Sequence, residues 1–206
     1  MGICYIVGAG DFGDGTIIPG PEDLVIAGDG GFRHLRDRGI RVDFAIGDFD
    51  SLGYRPGIPE VTVLKTEKDN TDMMAAVEEG VRRGYREFKI YGGTGGRVSH
   101  TIANIQMMAE MAGQGLQVEL VGFGCRIWVI QNGEIRFPAA RTGYLSVFCL
   151  GDVAEGVTEE GLKYPLENYR MVKENPLGVS NELIGIPGRV SVRKGTLLVI
   201  WEAKQC

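Results

Sequence analysis

The stretch FKIYGGTGGRVSH, residues 88–100, decides the fold, because a short apolar run leads into a glycine-rich loop and then into a helical pattern. The same order of apolar run, glycine-containing loop and polar or helical stretch repeats through the first 124 residues. Short, continuously apolar runs are typical of strands in a parallel sheet that is buried on both faces. We predict such strands at Ile3–Val7, Leu24–Ala27, Phe44–Ile46, Val61–Leu64, Phe88–Tyr91 and Val118–Val121.

Two segments show the helical spacing of apolar residues. The first, Thr71–Arg83, has a capping residue at Thr71 or Asn70, and Gly84 is placed to end it. Its predicted apolar stripe consists of Met73, Met74, Val77 and Val81. The second runs from about residue 98 to residue 112 and is expected to bury Val98, Ile102, Ile105 and Ala109. Alternation of strands with helices predicts an α/β layered domain.

The pattern changes after Gly124, where few helical periods occur. Gln131-Asn132-Gly133 predicts a tight turn between two strand-like runs within residues 128–137. Residues 144–150 form a further strand pattern, and residues 189–200 resemble a hairpin that turns near Lys194-Gly195. We therefore predict an α/β domain over residues 1–124 and a small antiparallel β domain over residues 125–206.

The composition argues against several classes of protein. The 206 residues are 44% hydrophobic, which allows a sizeable core in one large domain or two small ones. A net charge of −5 without a basic cluster argues against a nucleic-acid partner. No run approaches the roughly 18 apolar residues of a membrane helix, and the N-terminus lacks a signal-peptide pattern. The scattered cysteines are expected to be reduced thiols of a cytoplasmic protein: Cys4, Cys125, Cys149 and Cys206.

Polar residues concentrate where the predicted strands end. Ligands of open α/β sheets bind outside the carboxyl ends of the strands. The loops that follow strands there are GDGG at residues 28–31, GDFDS at 47–51, KTEKDNTD at 65–72 and GGTGGR at 92–97. This edge of the sheet therefore carries two glycine-rich loops, a few cations and the carboxylates of Asp29, Asp48, Asp50, Asp69 and Asp72.

The crowded carboxylates predict a magnesium site. They repel one another unless a cation lies among them, and oxygen ligands without His or Cys favour Mg²⁺. Side chains alternate along a strand, so Asp48 and Asp50 point the same way if their segment is extended.

The glycine loop at residues 92–96 predicts a phosphate site beside that metal. Its N–H groups and the dipole of the helix behind it are suited to phosphate. Lys68 and Arg97 are expected to neutralise a transferring phosphoryl group. His100 or Thr101 and Asn104 share the polar face of the helix with Arg97.

Each of these loops alone has a simpler interpretation. Asp29-Gly30 is a common turn sequence, and Asp69 to Asp72 suits a helix N-cap with acids that complement the dipole. A single histidine such as His100 is more often structural than catalytic. The coincidence of four such loops at one edge is what favours a functional site.

A competing motif, GAGDFG at residues 8–13, matches the dinucleotide fingerprint G-x-G-x-x-G. That fingerprint requires a helix to begin within it, whereas Pro19, Pro21 and further glycines follow here. We interpret the motif as a flexible glycine loop that is able to touch a nucleotide. A dehydrogenase is therefore disfavoured, and the lack of G-x-x-x-x-G-K-[ST] disfavours a P-loop kinase.

Taken in order, these motifs resemble the thiamine pyrophosphokinase family, bacterial type. The segments that agree in order and spacing are DGG at 29–31, GDFDS at 47–51, KDNTD at 68–72, GGTGGRVSH at 92–100 and SNE at 180–182. GLKYPL at 161–166 resembles a further stretch of the bacterial members. The likeness extends from Asp29 to Ile200.

The resemblance implies a reaction and an architecture. The reaction is transfer of a diphosphate group from ATP, with Mg²⁺, to the hydroxyl of thiamine, giving thiamine diphosphate and AMP. The architecture is a Rossmann-like N-terminal parallel-sheet domain and a C-terminal antiparallel β-sandwich. The protein is expected to be a homodimer that binds thiamine near the subunit interface.

The resemblance also assigns roles to residues. The expected catalytic residues are Asp48, Asp50, Asp69, Asp72, Lys68, Arg97 and His100. Asp48, Asp50 and Asp72 are the expected metal ligands, with Asp29 and Asp69 close by. Binding of ATP and thiamine is assigned to Asp29, Gly30, Gly31, Gly92, Thr94, Gly95, Gly96, Asn104, Ser180 and Asn181, of which Ser180 and Asn181 meet the aminopyrimidine of thiamine.

One position departs from the family pattern. Bacterial members usually read G-G-R-x-D-H, and this chain has Ser99 where that aspartate falls. Serine still forms hydrogen bonds but supplies no negative charge. A thiamine or nucleotide sensor without activity therefore stays open. The paired aspartates also leave open another Mg-dependent phosphotransferase with a different acceptor, or a phosphatase.

Overall fold

The computed structural model describes residues 2–65 and 71–204. The chain divides into two compact units, Met1–Met107 with Leu116–Phe123 and Met108–Gly115 with Gly124–Cys206. The predicted domain roles, for residues 1–124 and 125–206, stay predictions.

The first unit contains a parallel sheet. Its strands are β1 (Cys4–Val7), β2 (Leu24–Gly28), β3 (Phe44–Gly47), β4 (Val61–Val63), β5 (Glu87–Tyr91) and β6 (Gln117–Gly122). They lie in the order β4-β3-β2-β1-β5-β6, and every neighbouring pair is parallel. Every residue of β1, β2 and β3 is buried. The predicted parallel strands are thus confirmed.

The order of these strands reverses between β1 and β5. From β1 the chain builds β2, β3 and β4 on one side, then returns to place β5 and β6 on the other. At such a switch point the loops after the two neighbouring strands diverge and leave a crevice at their carboxyl ends.

The helices of the described chain are α1 (Gly31–Asp37), α2 (Asp72–Arg82) and α3 (Val98–Gly113). The predicted cap of α2 is confirmed, because Thr71 Oγ1 accepts a hydrogen bond from the N–H of Met74 at 3.1 Å. Gly84 follows the helix with a φ of 90°, a left-handed conformation that suits glycine.

The buried face of α2 differs from the predicted stripe. Met73 and Val77 are buried as expected, but Met74 and Val81 are only half-buried. Ala76 and Gly80 complete the buried face instead. A Cβ at Gly80 would lie 2.7 Å from the Phe88 ring, so small residues allow α2 to approach the sheet closely.

The predicted buried face of α3 is wrong at its N-terminal end. Val98 is 74% exposed and Ile102 is 52% exposed. The buried residues of this helix are Asn104, Met107, Met108 and Met111. Asn104 donates from Nδ2 to the carbonyl of Gly93 at 2.8 Å, and this buried bond fixes the rotation of the helix so that Val98 and Ile102 face outward.

The second unit contains antiparallel strands in two sheets. The strands are β7 (Cys125–Gln131), β8 (Glu134–Phe137), β9 (Gly143–Cys149), β10 (Val153–Glu160), β11 (Leu166–Val172), β12 (Gly178–Leu183), β13 (Gly188–Ser191) and β14 (Thr196–Glu202). One sheet contains β12-β9-β14-β7 and the other contains β11-β10-β13-β8. Their hydrophobic core combines side chains from both sheets, among them Val147, Val157 and Met171. The mixed α/β fold with a second antiparallel sheet is confirmed.

The predicted tight turn at Asn132-Gly133 is confirmed between β7 and β8, whereas the predicted hairpin over residues 189–200 is wrong. β7 and β8 belong to different sheets, and so do β13 and β14. The two turns instead hold each other, since Asn132 donates from N to the carbonyl of Gly195 at 3.1 Å and accepts at Oδ1 from the N–H of Gly195 at 2.8 Å. Each turn therefore carries the chain from one sheet to the other.

Two further predictions concern cysteines and membranes. Cys4, Cys125 and Cys149 are free, in agreement with reduced thiols, and Cys206 lies outside the described residues. Within residues 2–65 and 71–204, the helices are too short or too polar to span a bilayer.

Candidate active site

A cleft of about 400 Å³ opens at the switch point between β1 and β5. The loop after β1 forms one wall, and the loop after β5 forms the other. The loops are joined by hydrogen bonds from Gly8 N to Tyr91 O at 2.8 Å and from Gly10 N to Gly92 O at 2.9 Å. This contact requires glycine, because a Cβ on Gly92 would lie 2.2 Å from the carbonyl oxygen of Gly8.

The cleft gathers many of the residues singled out in the sequence. Those that line it are Asp29, Asp72, Gly92, Thr94, Gly96, Arg97, His100 and Asn104. They come from the loops after β2 and β5 and from the first turns of α2 and α3. The predicted meeting of these loops at one edge of the sheet is therefore seen.

Three of the predicted glycines do not line the cleft, and each is closely packed. Gly31 begins α1, and a Cβ there would lie 1.8 Å from the carbonyl oxygen of Val7. A Cβ on Gly95 would lie 2.0 Å from Oδ2 of Asp11. A Cβ on Gly30 would meet Ala9 and Ser51 at 3.0 Å.

Asp29 connects the cleft to the loop after β3. Its Oδ2 accepts a hydrogen bond from Ser51 Oγ at 2.8 Å, and its backbone N–H donates to the carbonyl of Ile46. Its Oδ1 is buried and has no hydrogen-bond partner among the residues described. Its φ of 44° is unusual for a residue other than glycine, which is a feature common at ligand sites.

Asp48 and Asp50 do not line the cleft. Their segment is turned, not extended: Phe49 has a φ of 60°, and Asp48 Oδ1 accepts from the N–H of Asp50 at 3.2 Å. The expectation that both carboxylates point the same way along a strand is therefore not met. Within the two described ranges, no three Asp, Glu, His or Cys side chains lie close enough together to hold a metal ion.

Two further predicted residues, Lys68 and Asp69, lie outside the described residues. Their predicted neighbour Asp72 stands in the first turn of α2 and lines the cleft. The metal set of Asp48, Asp50 and Asp72 stays a prediction.

The residue that precedes α3, Arg97, brings a cationic group to the cleft. Nη2 of Arg97 lies 2.5 Å from Nε2 of His100, and both side chains line the cleft. Ser99, between them in the chain, is exposed and does not line it. Arg97 is thus held beside the glycine loop, where an anionic group would bind.

Ser180 and Asn181 lie in β12 of the second unit. Ser180 is exposed and has a φ of 60°. Asn181 is only 5% exposed, and its side-chain amide bonds to Tyr164, Glu182 and Glu159. Ser180 is available to a ligand, whereas the side chain of Asn181 is committed to the protein.

The walls of the cleft also include Gly8, Ala9 and Gly10 of the glycine fingerprint, the loop expected to be able to touch a nucleotide, and Thr101. Met73 lines the cleft as well, although the sequence pattern assigned it only to the apolar stripe of α2. His34 on α1 supports this loop, with Nε2 at 2.8 Å from the carbonyl oxygen of Gly10. No helix begins within residues 8–23, all of which are described, so the fingerprint does not form a dinucleotide-binding turn.

Comparison with known proteins decides the family. Residues 20–120 match "Thiamin pyrophosphokinase, catalytic domain", and residues 132–197 match "Thiamin pyrophosphokinase, vitamin B1 binding domain". The chain is 31% identical over 184 residues to thiamine pyrophosphokinase of Bacillus subtilis (strain 168), and the aligned region covers 86% of each chain. The chain belongs to the thiamine pyrophosphokinase family.

Solved structures of thiamine pyrophosphokinases share the fold. The crystal structure from Bacillus subtilis has a TM-score of 0.86 at 28% identity and covers 98% of this chain and 100% of its own. The structure from Geobacillus thermodenitrificans has a TM-score of 0.82 at 29% identity, with 98% of both chains covered. The yeast enzyme, at 14% identity and a TM-score of 0.72, covers 98% of this chain and 86% of its own and shows the fold alone.

The predictions of family and enzyme class are therefore confirmed. The activity of thiamine pyrophosphokinases is the ATP-dependent transfer of a diphosphate group to thiamine.

Proposed function

We propose that this thiamine pyrophosphokinase homologue transfers the β,γ-diphosphate of ATP to the hydroxyl of thiamine within the cleft between β1 and β5. The observation that carries this proposal is the joining of two glycine loops at the switch point, beside Arg97 and the N-terminus of α3. Backbone N–H groups, a helix dipole and a guanidinium together suit a polyphosphate.

The phosphates of ATP would lie along the loop at residues 92–96. Asn104 donates to the carbonyl of Gly93, which fixes this loop on α3. His100 orients Arg97, and Arg97 with Lys68 would neutralise the charge that develops on the transferring group. The loop at residues 8–10 closes the other side of the nucleotide.

We propose a magnesium ion at this cleft, for which the described carboxylates supply single donors and not a complete set of three ligands. The buried and unpartnered Oδ1 of Asp29 is an oxygen donor that lacks a ligand, and a set of carboxylates without His or Cys suits Mg²⁺. Asp72 lines the cleft together with Asp29, and we propose that Asp72 would hold the ion with Asp48 and Asp50, which do not line the cleft. When bound, Mg²⁺ would neutralise phosphate oxygens and help to place the diphosphate for in-line attack.

The chemical step forms one bond and breaks another. The hydroxyl oxygen of thiamine attacks the β-phosphorus and loses its proton, and the bond between that phosphorus and the oxygen of the α-phosphate breaks. AMP leaves with the electron pair, and thiamine diphosphate is the other product. Such a step needs positioning and positive charge more than covalent catalysis.

The second unit would bind thiamine. The family match of residues 132–197 to a vitamin B1 binding domain supports this assignment, and Ser180 is the exposed candidate within it. We further infer that its two sheets face each other as a β-sandwich, that the first unit is Rossmann-like, and that the protein is a cytoplasmic homodimer with thiamine near the subunit interface.

The test is AMP formation by the purified protein with ATP and Mg²⁺, with and without thiamine. We expect AMP only with thiamine, together with thiamine diphosphate identified by mass. Calorimetric binding of thiamine and ATP without AMP formation would favour the sensor. AMP formation with another hydroxyl compound alone would favour a different acceptor.

A further inference from the structure

Glu159 is a buried carboxyl that the proposed reaction does not use. It lies near the end of β10, it is 1% exposed, and burial raises its pKa to about 7. Its Oε2 accepts a hydrogen bond from Asn181 Nδ2 at 2.8 Å, whereas its Oε1 has no partner within the described residues. A buried carboxyl with one unsatisfied oxygen destabilises the fold, so stability alone does not account for its presence.

Glu159 points into the core by the ordinary alternation of β10, because Val157 and Glu159 are buried and Thr158 between them is only half-buried. The register of β10 against β11 shifts between Val157 and Glu159, where a step of two residues on β10 is matched by three on β11. The extra residue therefore lies on β11, where Asn168 has a φ of 46° and donates from N to Thr158 Oγ1 at 3.1 Å. The bond from Glu159 to Asn181 consequently joins β10 of one sheet to β12 of the other.

Asn181 also forms hydrogen bonds with the backbone of Tyr164 and of Glu182. Its Oδ1 accepts from the N–H groups of Tyr164 and Glu182, both at 2.9 Å. Its Nδ2 donates to the carbonyl of Tyr164 at 2.7 Å and to Glu159. Glu159 accepts from Nδ2 and so adds a side-chain anchor to the amide orientation in which Tyr164 is held by both its N–H and its carbonyl.

The residue before Asn181 is held in a conformation that it does not adopt freely. Ser180 has a φ of 60°, and the register of β12 against β9 shifts between Gly178 and Asn181. Its N–H donates to Ser146 Oγ at 3.1 Å, and its own side chain is exposed. Such strain persists only where the surrounding structure determines it. The anchored amide of Asn181 is the neighbouring constraint.

We propose that Glu159 is a positioning residue of the acceptor subsite: it fixes Asn181, which holds the strained Ser180 and the backbone of Tyr164 in the geometry that receives thiamine. This proposal rests on the proposed function, which assigns the exposed Ser180 to thiamine. Glu159 itself touches no substrate in this account. Its effect on the acceptor passes through the hydrogen bonds of Asn181.

The test compares wild type with Glu159→Leu, Glu159→Gln and the control Glu160→Gln, whose exposed parent residue pairs with Arg189. Steady-state assays give the KM for thiamine and for ATP, and hydrogen–deuterium exchange reports on residues 178–183. We expect Glu159→Leu to raise the thiamine KM about 10-fold and to speed exchange at residues 178–183, with the ATP KM within about 2-fold. Glu159→Gln still offers an acceptor to Asn181 and should stay within about 3-fold of wild type in both.

The melting temperature distinguishes a positioning role of Glu159 from a role in stabilising the fold. Glu159→Leu removes the unsatisfied oxygen at similar volume, so it should melt no lower than wild type. An unchanged thiamine KM with unchanged exchange overturns the proposal. An equal rise in the KM for thiamine and the KM for ATP also overturns the proposal. A failure of Glu159→Leu to fold overturns it as well. If wild type forms no AMP with thiamine, the proposed function fails, and the exchange comparison alone still decides the role of Glu159.

Discussion

Nε2 of His100 lies 2.5 Å from Nη2 of Arg97, where both side chains line the cleft. A guanidinium only donates hydrogen bonds, so His100 accepts, and its Nε2 carries no proton in this contact. Arg97 directly precedes α3, and His100 lies three residues later in the first turn of that helix. His100 therefore orients the guanidinium of Arg97, whose long side chain would otherwise adopt several conformations.

Replacement of Arg97 tests the charge at the cleft. Arg97→Met is expected to lower kcat about 100-fold, because a preorganised charge on the transferring group is lost. The melting temperature should hold, since the side chain is exposed. The measurement is AMP formation at saturating ATP and thiamine, with Arg193→Met, in the turn between β13 and β14 and exposed, as control. Equal rates for the two variants would remove Arg97 from the reaction.

Because Oδ1 of Asp29 has no partner in the described structure, replacement of Asp29 is expected to weaken ligand binding without lowering stability. Asp29→Asn keeps an acceptor for Ser51 but weakens a cation site. The rise in melting temperature that Mg²⁺ and ATP produce should fall to about half that of wild type. The same melting curve without ligands should be unchanged. An undiminished rise would exclude Asp29 from the site.

The contact between the glycine loops makes Gly92 sensitive to substitution. Gly92→Ala places a Cβ 2.2 Å from the carbonyl oxygen of Gly8 at a φ of 65° and should cost about 3 kcal/mol in the free energy of unfolding. In Gly57→Ala the new Cβ meets nothing within 4 Å, and the change should stay within about 0.5 kcal/mol. Urea denaturation measures both. A similar small effect at the two positions would show that the loops separate easily.

Glu159 predicts how stability changes with pH. Burial raises its pKa from 4.5 to about 7, so the folded state holds the proton more tightly than the unfolded state. The associated stability is full below pH 4.5 and is lost as pH rises through 7. Relative to Glu159→Gln, wild type should lose about 3 kcal/mol between pH 4.5 and 8, as measured by urea denaturation. Parallel curves for the two proteins would show that Glu159 titrates normally.

The charged groups near Glu159 do not alter this sign. Arg189 on β13 pairs with Glu160 and Glu134, and Glu182 on β12 pairs with Lys163 and Lys204. The charged residues of β11, Glu167 and Arg170, are exposed. Desolvation therefore dominates, and the bond from Asn181 lowers the pKa only in part.

The fold was predictable wherever a local sequence pattern determines the structure without help from distant residues. Continuous apolar runs such as Leu24–Gly28 are buried on both faces, and this alone requires a parallel sheet covered by helices. The turns at Asn132 and Gly195 were recognised, but their signals do not say which sheet receives the next strand. That choice depends on the hydrogen bonds between these two distant turns.

The sequence predicts which loops meet at the site. It does not predict how the side chains of those loops and of α3 are oriented. The loops after β2 and β5 meet at the cleft because parallel strands end at one edge. Asp48 and Asp50 turn differently from the prediction, because Phe49 is buried with a left-handed backbone. The rotation of α3 depends on the long-range bond from Asn104 to Gly93. Both effects come from tertiary packing, which local spacing does not encode.

The most direct test of the account is the fate of a labelled γ-phosphate. ATP that carries ¹⁸O on its γ-phosphate is incubated with the protein, Mg²⁺ and thiamine, and the products are resolved by mass. Transfer of an intact diphosphate predicts labelled thiamine diphosphate and unlabelled AMP in equal amounts. Thiamine monophosphate with ADP, or AMP without a thiamine product, would contradict it.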